Sequence, residues 1–211
     1  MRLFNNIAGL GYIAFTLTKL RERKRKIQQY KEEGRNEEER EVIAETAHFW
    51  SEKIIKHFQV DIEVKNPENL PEKGPVVYVS NHQSYADILT LLNVVKHQVG
   101  FIAKEELQKI PVFSKWILRI RSLFIIRGDT RESLKTISEG AEMIKNGYSL
   151  IIFPEGTRSK GGEMASFKPG SLKLATKARA TIIPLTINGS YRMYEETGKI
   201  KKNTKIEVIV H

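Results

Sequence analysis

At 211 residues the chain has room for one compact domain of about 150 residues and an appendage. Its 40% apolar and 28% charged residues fit a globular chain rather than a multi-span membrane protein or a disordered tail. With no cysteine, a disulfide framework, a thiolate metal site and a cysteine nucleophile are excluded. The net charge of +10 points to an anionic partner, whether nucleic acid, an acidic membrane surface or a phosphorylated substrate.

Residues 3–20 carry Leu3, Ile7, Leu10, Ala14 and Leu17 at helical spacings, which predicts a helix. A membrane span needs about 20 predominantly apolar residues, and Asn5, Asn6, Thr16, Thr18, Lys19 and two glycines interrupt this run. The segment that follows, 21–26, reads RERKRK, the pattern of an interfacial anchor beside anionic lipid. A second helix is expected over 36–58, opened by Glu37, Glu38, Glu39 and Glu41 at the positive end of its dipole. Joined by the charged, Gly34-containing segment, the two make a helical hairpin. Phe4, Phe15, Phe49 and Trp50 are candidates for a headgroup boundary, and packing of both helices on their own domain is the structural alternative. The expected organisation is a membrane-associating motif over 1–58 followed by an α/β domain over 59–211.

From residue 58 short apolar runs alternate with amphipathic stretches. Strands are expected near 58–64, 76–80, 99–103, 122–127, 148–153, 181–187 and 205–210, with helices near 85–97, 105–119, 131–146 and 170–178. This alternation implies an α/β fold with a mostly parallel central sheet flanked by helices. In such sheets the ligand crevice lies beyond the carboxyl ends of the strands.

Two strand ends stand out. After Val76–Ser80 comes Asn81-His82-Gln83-Ser84-Tyr85-Ala86-Asp87. On a regular helix His82 and Asp87 would stand about 140° apart. With Ser84 as N-cap, however, Asp87 falls in the first turn and His82 just outside it, where the chain turns back toward it. An Asp bonded to one imidazole nitrogen leaves the other as a general base toward a hydroxyl. Spacing alone leaves a second reading open, in which Ser84 and Asp87 are simply a capping pair.

The second strand end is Phe153-Pro154-Glu155-Gly156-Thr157-Arg158-Ser159. Pro154 stops the strand, Gly156 permits an unusual turn, and Thr157, Arg158 and Ser159 offer donors to phosphate oxygens. Glu155 is expected to orient Arg158 or to accept a substrate hydroxyl. Arg127 and Lys104 follow two further strands, and Lys168 and Gly170 are expected to open a helix that presents an anion-binding end. Cations converging at the crevice favour a phosphate site over a nucleic-acid patch. There is no GxSxG elbow, Walker A loop, GxGxxG or HExxH.

The order NHQSYAD, a strand ending in Arg127, FPEGTRS and then Ile183-Pro184-Leu185 resembles the four-block signature of the glycerolipid acyltransferases, above all the bacterial 1-acyl-sn-glycerol-3-phosphate acyltransferases. The likeness covers about residues 58–190 and includes Lys104, Glu105, Leu107, Pro111 and Phe167, Lys168, Gly170. Two departures stand out. Ile126 takes the place where the family commonly has an acid, leaving Asp129 as a candidate to orient Arg127, and the sequence ends soon after its last strand.

The resemblance implies transfer of a fatty acyl group from acyl carrier protein or coenzyme A to the sn-2 hydroxyl of lysophosphatidate, giving phosphatidate. His82 would be the base and Asp87 its holder. Arg158, Arg127 and Lys104 would grip the acceptor phosphate, and Glu155, Gly156 and Thr157 would shape its pocket. No metal or organic cofactor and no nucleic acid is implied, and the expected location is the cytoplasmic face of the membrane. Glycerol-3-phosphate is the alternative acceptor, and a non-catalytic binder of anionic lipid or nucleic acid the alternative class.

Overall fold

The structure, a computed structural model, describes residues 7–126 and 128–211. Three N-terminal helices, α1 (Ile7–Thr18), α2 (Arg21–Glu32) and α3 (Asn36–Phe58), precede β1 (Asp61–Lys65) and β2 (Val77–Ser80). Then come α4 (Ala86–Val94), β3 (Val99–Lys104), α5 (Pro111–Arg119), β4 (Leu123–Ile125), α6 (Thr130–Lys145), β5 (Ser149–Ile152), α7 (Lys173–Ala178), β6 (Ile182–Asn188) and β7 (Lys205–Val210).

All seven expected strands form, in the order β1-β7-β6-β2-β5-β3-β4. Neighbours are parallel except β6 and β7, so β1 and β7 run opposite to the other five. The apolar runs Val77–Val79 and Leu150–Ile152 are continuous because both faces of the central strands are covered. Tyr78 and Ile151 face a core shared with Ile54 and Phe58 of α3 and Leu91 of α4. Val77, Leu150 and Ile152 face the opposite core, with Ile144 of α6 and Leu174 of α7.

The neighbours β2 and β5 therefore feed helices on opposite faces of the sheet, α4 on one and α7 on the other. The loops leaving β2 and β5 meet at the carboxyl edge of the sheet, where the Ser159 N–H donates to the His82 carbonyl, at the switch point where open α/β sheets place their ligand sites.

The N-terminus differs from a two-helix hairpin. The charged connector is itself a helix, α2, whose one buried side chain is Ile27. A single apolar anchor gives almost no periodic signal, so tertiary packing rather than amphipathicity makes this helix legible. Helix α1 lies against α3: the Tyr12 ring stacks on His57 at 3.8 Å, and Trp50 Nε1 donates to Thr16 Oγ1 at 2.9 Å. Trp50 thus turns inward, whereas Phe15 and Phe49 are exposed beneath the cations Lys19 and Arg23. Phe4 lies outside the described residues. Among the described residues no helix is long and apolar enough to cross a membrane.

Candidate active site

The loop after β2 is held on both sides. Toward β6, Asn81 Oδ1 accepts from the Ile187 N–H at 2.7 Å and Asn81 Nδ2 donates to the Ile187 carbonyl at 2.9 Å, while Gln83 Oε1 accepts from the Gly189 N–H at 3.0 Å. Toward β5, the Ser159 N–H donates to the His82 carbonyl at 2.8 Å and the Lys160 N–H to the Gln83 carbonyl at 3.2 Å. His82 sits between these two sets of bonds.

The turn into α4 unites the two readings that spacing left apart. Ser84 Oγ accepts from the Ala86 N–H at 2.9 Å, as an N-cap does. Asp87 Oδ2 reaches back to the N–H groups of Ser84 (2.9 Å) and Gln83 (2.7 Å), closing a capping box. The same oxygen lies 2.7 Å from His82 Nδ1. An oxygen that accepts from three donors fixes the tautomer: Nδ1 carries the proton and Nε2 presents its lone pair. Asp87 is fully buried, and its Oδ1 has no hydrogen-bond partner. The His82 side chain keeps 17% exposure, its ring stacks on Phe153 at 4.0 Å, and among the described residues Nε2 has no hydrogen-bond partner.

Glu155 acts otherwise than expected. It is 1% exposed, and both carboxylate oxygens accept from backbone: Oε1 from the His82 N–H at 2.7 Å, Oε2 from the Ala165 N–H at 2.8 Å. It clamps three loop segments together and leaves Arg158 alone. Arg158 instead pairs with Glu195, Nη1 to Oε1 at 2.7 Å, and lies over the Tyr85 ring at 3.6 Å.

Gly156 has φ +63°, a conformation that favours glycine, and a Cβ there would come within 2.9 Å of the flexible Lys168 Cε. Thr157 is exposed. Lys104 ends β3, with β5 between that strand and β2, and pairs with Glu106 rather than with any residue around His82. Arg127 lies outside the described residues. Asp129 Oδ1 accepts from the Arg131 and Glu132 N–H groups, capping α6. The expected anion-binding helix end at Lys168 and Gly170 does not form: α7 begins only at Lys173 and spans six residues, and the Lys168 N–H is bonded to the Pro154 carbonyl. Among the described residues no group of His, Asp and Glu is placed to hold a metal ion.

A family model described as acyltransferase matches residues 61–188, more than half the chain and the whole stretch from β1 to the end of β6. The chain belongs to the 1-acyl-sn-glycerol-3-phosphate acyltransferase family. The chloroplastic 1-acyl-sn-glycerol-3-phosphate acyltransferase of Arabidopsis thaliana is 35% identical over 168 residues, 78% of this chain and 46% of that one. The probable 1-acyl-sn-glycerol-3-phosphate acyltransferase of Mycoplasma pneumoniae is 37% identical over 148 residues, 68% of this chain and 55% of its own. The chain thus spans about half the length of these curated relatives. The crystal structure of the 1-acyl-sn-glycerophosphate acyltransferase of Thermotoga maritima superposes with a TM-score of 0.67 at 26% identity, covering 99% of this chain and 86% of that one.

Within this acyltransferase fold, sequence reasoning missed Glu195 and Tyr85 as neighbours of Arg158. Tyr85 lay inside the first motif, where an aromatic residue just before a helix was a usable signal, and its ring is exposed (50%). Glu195, 37 residues from Arg158, carried none.

Proposed function

We propose that this chain transfers a fatty acyl group from an acyl carrier protein or coenzyme A thioester to the sn-2 hydroxyl of 1-acyl-glycerol-3-phosphate, giving phosphatidate. The observation that carries the reading is the short Nδ1–Oδ2 contact between His82 and the buried Asp87, with Nε2 unpartnered among the described residues. Nε2 takes the proton of the acceptor hydroxyl as its oxygen attacks the thioester carbonyl. The tetrahedral intermediate collapses with loss of the thiolate, which recovers the proton from the imidazolium. Asp87 stabilises that imidazolium and holds its tautomer. General-base help of this kind supplies about 10²–10⁴-fold, roughly 3–5 kcal/mol of barrier, and positioning of the two substrates supplies much of the rest.

Arg158 holds the acceptor phosphate beside His82, joined by Arg127 and, less directly, Lys104, with Gly156 and Thr157 at the rim and Glu155 fixing the backbone beneath. Residues 1–58 carry the chain on the cytoplasmic face of an anionic membrane, supported by the exposed Arg21, Lys24, Arg25 and Lys26 on α2 and by Phe15 and Phe49.

The test is a thioester-release assay with lysophosphatidate and with glycerol-3-phosphate as acceptors, comparing wild type with His82→Ala. Release that requires lysophosphatidate and vanishes in the variant, with circular dichroism unchanged, is the expected result. Retained turnover in the variant overturns the mechanism, and preference for glycerol-3-phosphate reassigns the acceptor.

A further inference from the structure

Glu195 lies just past β6, outside the segments that carry the His82 loop and the Arg158 loop. Its side chain is 3% exposed. Oε1 accepts from Arg158 Nη1 at 2.7 Å and from the Tyr85 N–H at 3.1 Å, while Oε2 is buried without a partner. A carboxylate removed from water needs compensation, and here one cation and one backbone amide of the turn leading into α4 supply all of it. Arg158 is pinned in return: its guanidinium is bonded on one side, and its Cζ lies over the Tyr85 ring at 3.6 Å from the centroid, a favourable cation–π distance. A free arginine samples many rotamers, whereas this one has its plane and position fixed before any ligand arrives, with its remaining N–H donors left for a ligand.

We propose that Glu195 is the positioning residue for acceptor recognition: it holds Arg158 in place for the acceptor phosphate and ties that arginine to the turn that carries Asp87. This rests on the reading that Arg158 binds the phosphate. Because Oε1 also bonds Tyr85, two residues before Asp87, the phosphate-binding arginine and the His82–Asp87 pair share one rigid support. The negative charge of Glu195 serves the acceptor only while Arg158 is present. Without the arginine, the same carboxylate repels a phosphate.

That reversal of sign gives the test. Steady-state transfer is measured with 1-oleoyl-glycerol-3-phosphate as acceptor and saturating palmitoyl-coenzyme A, for wild type, Glu195→Ala, Glu195→Gln, Arg158→Ala and the two double variants. Loss of one charge-assisted bond predicts that Glu195→Ala raises the acceptor KM about tenfold, with kcat and the donor KM changed far less. Glu195→Gln retains an acceptor for both N–H groups and stays within about threefold of wild type. In the Arg158→Ala background, adding Glu195→Ala or Glu195→Gln lowers the acceptor KM instead of raising it.

An unchanged KM in Glu195→Ala, or additive losses in the double variants, overturns the proposal while leaving the arginine's role intact. An unchanged KM in Arg158→Ala overturns the phosphate reading itself, and the positioning role falls with it. If Glu195→Ala fails to fold, as a thermal melt would reveal, the comparison of Arg158→Ala with Arg158→Ala/Glu195→Gln decides alone, and a KM that does not fall on adding Glu195→Gln refutes the inference.

Discussion

Replacing Glu155 by Gln is nearly isosteric, yet the structure makes it severe. Both carboxylate oxygens accept from backbone amides, His82 N–H at 2.7 Å and Ala165 N–H at 2.8 Å, in a side chain 1% exposed. Gln has one oxygen and one NH₂, so whichever way the amide is turned, a donor faces a donor. One charge-assisted bond is lost, worth about 1.5–3 kcal/mol, and a buried donor is left unsatisfied at a further cost of about 1–3 kcal/mol. The sum of about 2.5–6 kcal/mol is a large fraction of the roughly 5–15 kcal/mol that holds a typical domain together. Equilibrium urea unfolding followed by circular dichroism reads this directly as a lower midpoint with the same slope. Turnover falls as well, because the clamp between the His82 loop and the Ala165 segment is broken at one of its two ends. A Glu155→Gln protein within about 1 kcal/mol of wild type would refute the reasoning, since surface substitutions away from such features typically cost no more than about 0.5 kcal/mol.

Other perturbations follow from the same structure. His97 is half-buried, with Nε2 2.8 Å from the Tyr78 hydroxyl and Nδ1 3.0 Å from the Gln98 carbonyl, and loss of hydration lowers its pKa below the ordinary 6.5. The unfolded chain therefore binds this proton first, and stability is lost as pH falls below about 6.5, down to the depressed folded value. His97→Gln flattens that slope in urea titrations between about pH 7 and pH 5, and an unchanged slope removes His97 as its source. At the N-terminus, truncating the first helices would strip the buried Leu17, Leu20 and Ile27, so charge removal on the exposed face of α2 is the cleaner probe. Changing Arg21, Lys24, Arg25 and Lys26 together to Gln should weaken binding to phosphatidylserine vesicles by about 4 kcal/mol, at about 1 kcal/mol per cation. Sedimentation equal to wild type would count against α2 as the anchor.

The sequence by itself determined what neighbouring residues decide. Uninterrupted apolar runs such as Val76–Val79 and Leu150–Phe153 announced strands covered on both faces. The His82–Asp87 pair was legible because five residues spanning a strand end and a helix cap leave the chain few ways to turn, and the bonds that cap the helix also bring the two side chains together. Tertiary structure decided everything that depends on strand order. Glu155 stands three residues from Arg158 yet bonds to backbone, while Glu195, 37 residues away, takes the arginine. A carboxylate goes where buried N–H groups must be satisfied, and which N–H groups are buried beside it is set by β2 lying between β5 and β6. The extra helix α2 and the shortness of α7 belong to the same class. Helix α2 is mostly charged and α7 spans only six residues, so neither carries much apolar periodicity, and their extent follows from what the rest of the chain packs against them.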